Sequence, residues 1–157
     1  MPVMKILFVC HGNICRSPMA EMVMKHMLRK RGLELYFRID SAAATDEEIG
    51  NPVYPPAKRE LARRGIPCEK RGAWQIQPSD YGKYDLIVGM DKENMGDMRR
   101  IFQGDPLGKC KKLLDFAGRR GQDVADPWYT GGFDRAYEDI EAGCIGILEK
   151  YKRDVRI

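Results

Sequence analysis

Two spacings of apolar residues alternate along this chain. Met4-Lys5-Ile6-Leu7-Phe8-Val9 is a nearly unbroken apolar run, the pattern of a strand covered on both faces. Past Ser17 and Pro18, which suit an N-cap and a first helical position, Ala20, Val23, Met24, Met27 and Leu28 keep the i, i+3, i+4, i+7, i+8 spacing of one helical face. Arg29-Lys30-Arg31-Gly32 close that helix with basic residues and a glycine, where a helix C-terminus favours them. The alternation then repeats. Tyr36 to Asp40 predicts a second strand, Pro56 to Arg64 a short helix closed by Gly65, and Asp85 to Met90 a third strand. Lys92 to Ile101 predicts a helix and Lys111 to Phe116 a fourth strand. Phe133, Ala136, Tyr137, Ile140, Cys144, Ile147, Leu148 and Tyr151 mark one long amphipathic helix, from Phe133 to about Tyr151.

Strands alternating with helices imply an α/β fold: an open doubly wound sheet of about four parallel strands with helices on both faces. One domain over residues 1–157 is expected, since that length suits an open sheet better than a closed barrel. Such sheets bind ligands beyond the carboxyl ends of their strands. Cys10 ends the first strand, Ser41 follows the second and Asp91 follows the third, so their side chains are expected to converge on one rim. The glycine-rich stretch Gly118 to Gly132, which contains Asp126-Pro127-Trp128-Tyr129, reads as a loop over that rim.

Composition narrows the function. The charge of 27 Lys and Arg against 23 Asp and Glu, net +4, is spread along helix-like segments and gives no nucleic-acid tract. The basic residues Lys58, Arg59, Arg63 and Arg64 could steer an acidic partner, but read more simply as a solvated helix face. No apolar run reaches the length of a membrane span or a signal-peptide core, so a cytoplasmic protein with no membrane partner is expected. Five cysteines without framework spacing fit a reducing compartment. The two histidines, His11 and His26, form no metal-ligand pattern with them, and neither a Walker nor a dinucleotide motif is present. No metal and no cofactor are therefore expected.

The chemistry concentrates in Val9 to Glu21, V-C-H-G-N-I-C-R-S-P-M-A-E. A strand that ends in Cys10, turns through Gly12 and enters a helix near Pro18 aims several backbone N–H groups at one point, a site for a tetrahedral anion. Gly12 and Asn13 tolerate the backbone angles such a loop needs. Arg16 supplies a planar, permanently charged fork for phosphate, and the same field favours thiolate at Cys10. Both residues have plainer readings, a buried strand-end thiol and a surface cation, but the C-x-x-x-x-x-R-S spacing unites them. Ser17 reads as a helix cap and as a donor to the Cys10 sulfur. Displacing an ester oxygen by sulfur calls for a general acid outside the loop, and Asp126 is the candidate. The proline after it stiffens the turn, and Trp128 and Tyr129 are aromatic surfaces able to flank a planar leaving group. Cys15, close to Cys10 along the loop, is a candidate partner for a reversible disulfide. His11 is expected at the rim, shaping specificity.

The motif C-H-G-N-I-C-R-S-P with a distant D-P-W-Y resembles the low-molecular-weight protein tyrosine phosphatases, as do Asp40 to Ala43 (D-S-A-A) and Met90-Asp91. The resemblance runs nearly end to end. It implies a three-layer, flavodoxin-like domain that hydrolyses phosphotyrosine through a phosphocysteine on Cys10, with Asp126 as acid and then base. It further implies a phosphate loop from Cys10 to Ser17, in which His11, Gly12, Asn13, Ile14, Cys15 and Ser17 meet the substrate. Asn13 and Ser41 would hold that loop by hydrogen bonds. Inorganic phosphate or a similar oxyanion would occupy the same site, a tyrosine-phosphorylated protein would be the partner, and a monomer is expected. The chain departs from the resemblance in two places. Asp46-Glu47-Glu48 stands where relatives often place an aromatic wall of the cleft, and Arg71 is the nearest candidate where relatives tend to carry a histidine.

Three other activities share this loop. Arsenate reduction needs a further local cysteine pair, and none lies between Glu69 and Gln103. Protein arginine phosphatases tend to have threonine where this chain has Ile14, whose apolar side chain suits an aryl ester better than a guanidinium. A silent phosphotyrosine-binding module would need neither Cys10 nor Asp126.

Overall fold

The computed structural model describes residues 3–155. The first two and last two positions of the domain expected over residues 1–157 lie outside the described residues. Strand β1 (Met4–Cys10) enters helix α1 (Arg16–Lys30), which returns to β2 (Phe37–Ala43). Helix α2 (Pro55–Arg63), β3 (Leu86–Gly89), α3 (Lys92–Ile101) and β4 (Cys110–Lys112) follow, and the short α4 (Pro127–Thr130) precedes the long α5 (Phe133–Val155). The four strands are parallel in the order β2-β1-β3-β4. The chain thus leaves β1 toward one edge of the sheet and later returns to the other side of β1, which opens a crevice at the carboxyl ends of β1 and β3.

The near-continuous apolar run of β1 is explained by burial on both faces. Ile6, Phe8 and Cys10 point into a core shared with α1, α2 and α5. Leu7 and Val9 point the other way, against Ile87, Met98 and Phe102. Among the described residues no helix is long and apolar enough to cross a membrane.

Four sequence expectations are corrected. The second strand continues to Ala43 because its pairing with β1 persists to Cys10 opposite Ala43, so Ser41 lies within the strand and not after it. The fourth strand pairs with β3 only from Cys110 to Lys112. Leu113 and Leu114 then form a 3-10 turn with the following residues, to Ala117, and both enter the same core. A strand would send such neighbours to opposite faces. The expected loop Gly118 to Gly132 contains α4, started by Asp126 as its N-cap. Finally, α1 begins at Arg16 with Cys15 at the N-cap position and no side-chain cap, which places Ser17 inside the first turn.

Helix α5 extends one turn beyond the expected Tyr151 and packs on the 3-10 turn through two glycines. A Cβ at Gly146 would lie 1.9 Å from the Phe116 carbonyl oxygen, and one at Gly143 would lie 2.3 Å from Leu113 Cγ. In an exposed helix, glycine to alanine gains about 1 kcal/mol. Here Gly146→Ala is expected to reverse sign and lose about 3 kcal/mol through overpacking against backbone. Urea unfolding measures it, and a stabilised variant would contradict the close packing.

Candidate active site

The carboxyl end of β1 delivers Cys10 to a cavity of about 130 Å³. Of the residues expected to meet substrate, His11, Gly12, Ile14, Cys15, Trp128 and Tyr129 line this cavity together with Cys10, Arg16 and Asp126. Asn13 and Ser17 do not line it; both side chains are fully buried behind the loop. Glu47 and Glu48 complete the lining, so the acidic run does form part of the cleft.

Behind the loop, the buried side chains form one directed hydrogen-bond chain. Arg71 donates to the Asn13 carbonyl oxygen at 2.9 Å and to its side-chain Oδ1. That contact fixes which end of the amide is oxygen. The Asn13 Nδ2 then donates to Ser17 Oγ at 2.8 Å and to Ser41 Oγ at 3.0 Å. Each hydroxyl, having accepted from Asn13, turns its own proton outward. Ser41 donates to Glu21 Oε1 at 2.5 Å. Ser17 Oγ stands 3.0 Å from Cys10 Sγ, nearer than its other acceptor, the Ala42 carbonyl at 3.4 Å. The Ser17 backbone N–H also faces the sulfur, at 3.4 Å. Of the two loop positions expected to take unusual backbone angles, only Asn13 has a positive φ, +60°. At Gly12 the space is tight instead, because a Cβ there would come within 3.2 Å of Glu48 Cγ.

Arg16 is 2 % exposed, and three separate segments hold its guanidinium. Nη1 donates to Asp91 Oδ2 at 2.7 Å and to the Val124 carbonyl at 2.8 Å, while Nη2 lies 3.4 Å from Asp126 Oδ2. Burial opposes its charge, but Cys10, Asp91 and Asp126 outweigh burial and hold the group protonated. Asp91 also caps α3, accepting from the Asn94 N–H at 2.8 Å. Asp126 Oδ1 accepts from the Trp128 N–H at 3.1 Å. Trp128 and Tyr129 are exposed and not core, and Trp128 packs on Tyr54 with ring centroids 4.7 Å apart. Burial, reinforced by Cys10, pushes the Cys15 thiol well above the ordinary range. His11 sits at the rim as expected, its Nε2 2.5 Å from Glu47 Oε2 and its Nδ1 3.3 Å from Glu93 Oε1.

Glu21 and Tyr54 escaped the sequence reading, and Arg71 is marked there only by the family resemblance. Glu21 was visible as a lone acidic residue on the apolar face of α1, beside Ala20 and Met24. Tyr54 carried no signal of its own. Arg71 lies in an irregular segment that pairs with the end of β2 through the bonds Ala43 N–H to Trp74 O and Ile76 N–H to Ala43 O, a placement no periodicity announces.

The chain matches the family described as "Low molecular weight phosphotyrosine protein phosphatase" over residues 5–157. It is 36% identical to the low molecular weight protein-tyrosine-phosphatase YfkJ of Bacillus subtilis, over 99% of this chain and 100% of that one. The crystal structure of YfkJ superposes with a TM-score of 0.94, covering 99% of both chains. The human low molecular weight phosphotyrosine protein phosphatase is 34% identical, over 92% of this chain and 94% of its own. The crystal structure of the Drosophila arginine phosphatase DARP matches with a TM-score of 0.85 at 31% identity, covering 95% of this chain and 98% of that chain.

Asn13 offers a direct test of the buried network. Asn13→Ala removes four side-chain bonds, to Arg71, Ser17, Ser41 and the Trp74 N–H, at a left-handed position and is expected to cost about 2–3 kcal/mol in urea unfolding. Asn13→Gly relieves the backbone angle alone. It should still lose most of that energy, and a neutral effect would mean the hydrogen bonds contribute little.

Proposed function

The chain belongs to the low molecular weight phosphotyrosine protein phosphatases, hydrolases of phosphoproteins, and we propose that Cys10, Arg16 and Asp126 divide its chemistry. Cys10 sulfur attacks the phosphorus of phosphotyrosine, and the bond from phosphorus to the phenolic oxygen breaks. Asp126 in its acid form gives that oxygen a proton, so tyrosine leaves neutral. The Asp126 carboxylate then takes a proton from water as the water oxygen attacks phosphorus. The phosphorus–sulfur bond breaks, and inorganic phosphate and the thiolate are released. Arg16 and the N–H groups of the loop bind the equatorial phosphate oxygens throughout, where charge must be held in line. Ser17 steadies the sulfur as it leaves.

The observation carrying this reading is the convergence of Cys10, Arg16 and Asp126 on one cavity, with Ser17 Oγ 3.0 Å behind the sulfur. Trp128 and Tyr129 on the same cavity support an aryl ring as leaving group, and Ile14 adds an apolar contact. Cys15 on the same lining supports its reading as partner of a reversible disulfide with Cys10. Five cysteines without framework spacing support a reducing, cytoplasmic setting, and action as a monomer completes the reading.

Steady-state hydrolysis of phosphotyrosine and phosphoarginine peptides by the wild type, Cys10→Ser and Asp126→Ala tests these roles. Phosphotyrosine is expected to be preferred, Cys10→Ser to be inactive, and Asp126→Ala to lose on the order of a hundredfold in kcat. A preference for phosphoarginine would transfer the site to a guanidinium substrate, and an active Cys10→Ser would remove the nucleophile.

A further inference from the structure

The cavity above Cys10 carries charge that phosphoryl transfer does not call for. Glu47 and Glu48, from the loop after β2, line it beside the nucleophile. A third carboxylate, Glu93 in the first turn of α3, reaches His11 from the other side at 3.3 Å. The chain as a whole is net positive, +4, so this acidic wall is a local arrangement and not a reflection of composition. A carboxylate lining the same cavity repels an incoming phosphate dianion.

Each glutamate of the wall has one side-chain partner. Glu47 Oε2 is held 2.5 Å from His11 Nε2. Glu48 Oε2 accepts from Asn51 Nδ2 at 2.8 Å, and its stem packs where a Cβ on Gly12 would come within 3.2 Å of Glu48 Cγ. One histidine is shared between Glu47 and Glu93, so even when protonated it offsets only one of their charges. Glu48 has a neutral amide for its partner. Two carboxylates at the mouth of an anion site therefore stand without full compensation, and a substrate that brings a cation with its phosphate meets attraction where a bare phosphate meets repulsion.

We propose that Glu47 and Glu48 are specificity-determining residues that read a cationic side chain beside the phosphotyrosine, so that segments with lysine or arginine next to the phosphorylated residue are taken in preference to acidic ones. The proposal rests on the reading of the cavity as a phosphotyrosine hydrolase site. The phosphate descends to Cys10 and Arg16, the ring lies with Trp128 and Tyr129 on the same cavity, and the neighbouring ammonium or guanidinium meets the wall. Charge pairs at such a rim act chiefly on encounter and on rejecting wrong partners, so the selection appears in kcat/KM and weakens with salt.

The test compares kcat/KM for three phosphotyrosine peptides, flanked by lysine, alanine or glutamate, on the wild type and on the double variant Glu47→Gln/Glu48→Gln, at low and high ionic strength. p-Nitrophenyl phosphate, which has no flanks, is the reference substrate. The wild type is expected to favour the lysine-flanked over the glutamate-flanked peptide by about tenfold at low salt. That ratio should collapse toward one in the double variant and shrink at high salt. Equal rates on the three peptides, with p-nitrophenyl phosphate hydrolysed, would overturn this proposal alone. A lysine preference that survives in the double variant would remove it from Glu47 and Glu48. Failure of the wild type on every aryl phosphate would overturn the hydrolase reading beneath it.

Discussion

The loop from Cys10 to Ser17 hangs on one amide. Asn13 occupies a left-handed backbone position in which few residues other than glycine are comfortable, and its side chain occupies the centre of the polar network behind the site. Arg71 on the Asn13 oxygen sets the direction of every bond downstream, through Ser41 to Glu21 on one branch and through Ser17 to Cys10 on the other. Arg71 stays charged over the whole working range of pH, although burial lowers its affinity for the proton. A directed network of this kind is worth more than its separate bonds because each donor polarises the next. It ties a strand end, a helix start, the middle of β2 and an irregular segment into one rigid unit, and that unit shapes the floor of the cavity.

Arg16 is the second organising element and works by the opposite means. A buried guanidinium is costly unless it is surrounded, and here Asp91, Val124 and Asp126 surround it from the β3–α3 junction and the long loop before α4. The charge proposed to bind the substrate thus also gathers the segments that hold Asp126, the proposed general acid. Asp126 has no regular element to place it from its N-terminal side. The guanidinium and the Trp128 N–H fix its two oxygens instead.

Much of this was legible from the chain, and the failures share a cause. The parallel sheet and the long helices follow from apolar spacing, because burial on two faces or on one stripe leaves a periodic trace. The convergence of Cys10, Arg16 and Asp126 followed from combining that topology with the chemistry of a strand-end thiol and a distant acid. Leu113 and Leu114 misled because two adjacent apolar residues look like strand until one knows that α5 covers both. Ser17 misled only as a cap, because serine before proline suits a helix start while the helix begins one residue earlier; its expected contact with the Cys10 sulfur is present. Tyr54 left no trace and Arg71 is marked only by the family resemblance, since they act through contacts with Trp128 and Asn13 that are distant in sequence and lie outside any period.

The position after β3 shows what such economy implies for change. One oxygen of Asp91 starts α3 and the other anchors Arg16. Serine, threonine or asparagine would start the helix about as well, but none brings the negative charge the buried arginine requires. Glutamate brings the charge on a stem too long to cap the turn. Of the common residues only aspartate meets both demands, so mutational drift that would be silent at an ordinary helix start is closed here. An engineer seeking a sturdier variant should look to other helix ends and leave this one alone, because at Asp91 folding and function cannot be traded separately.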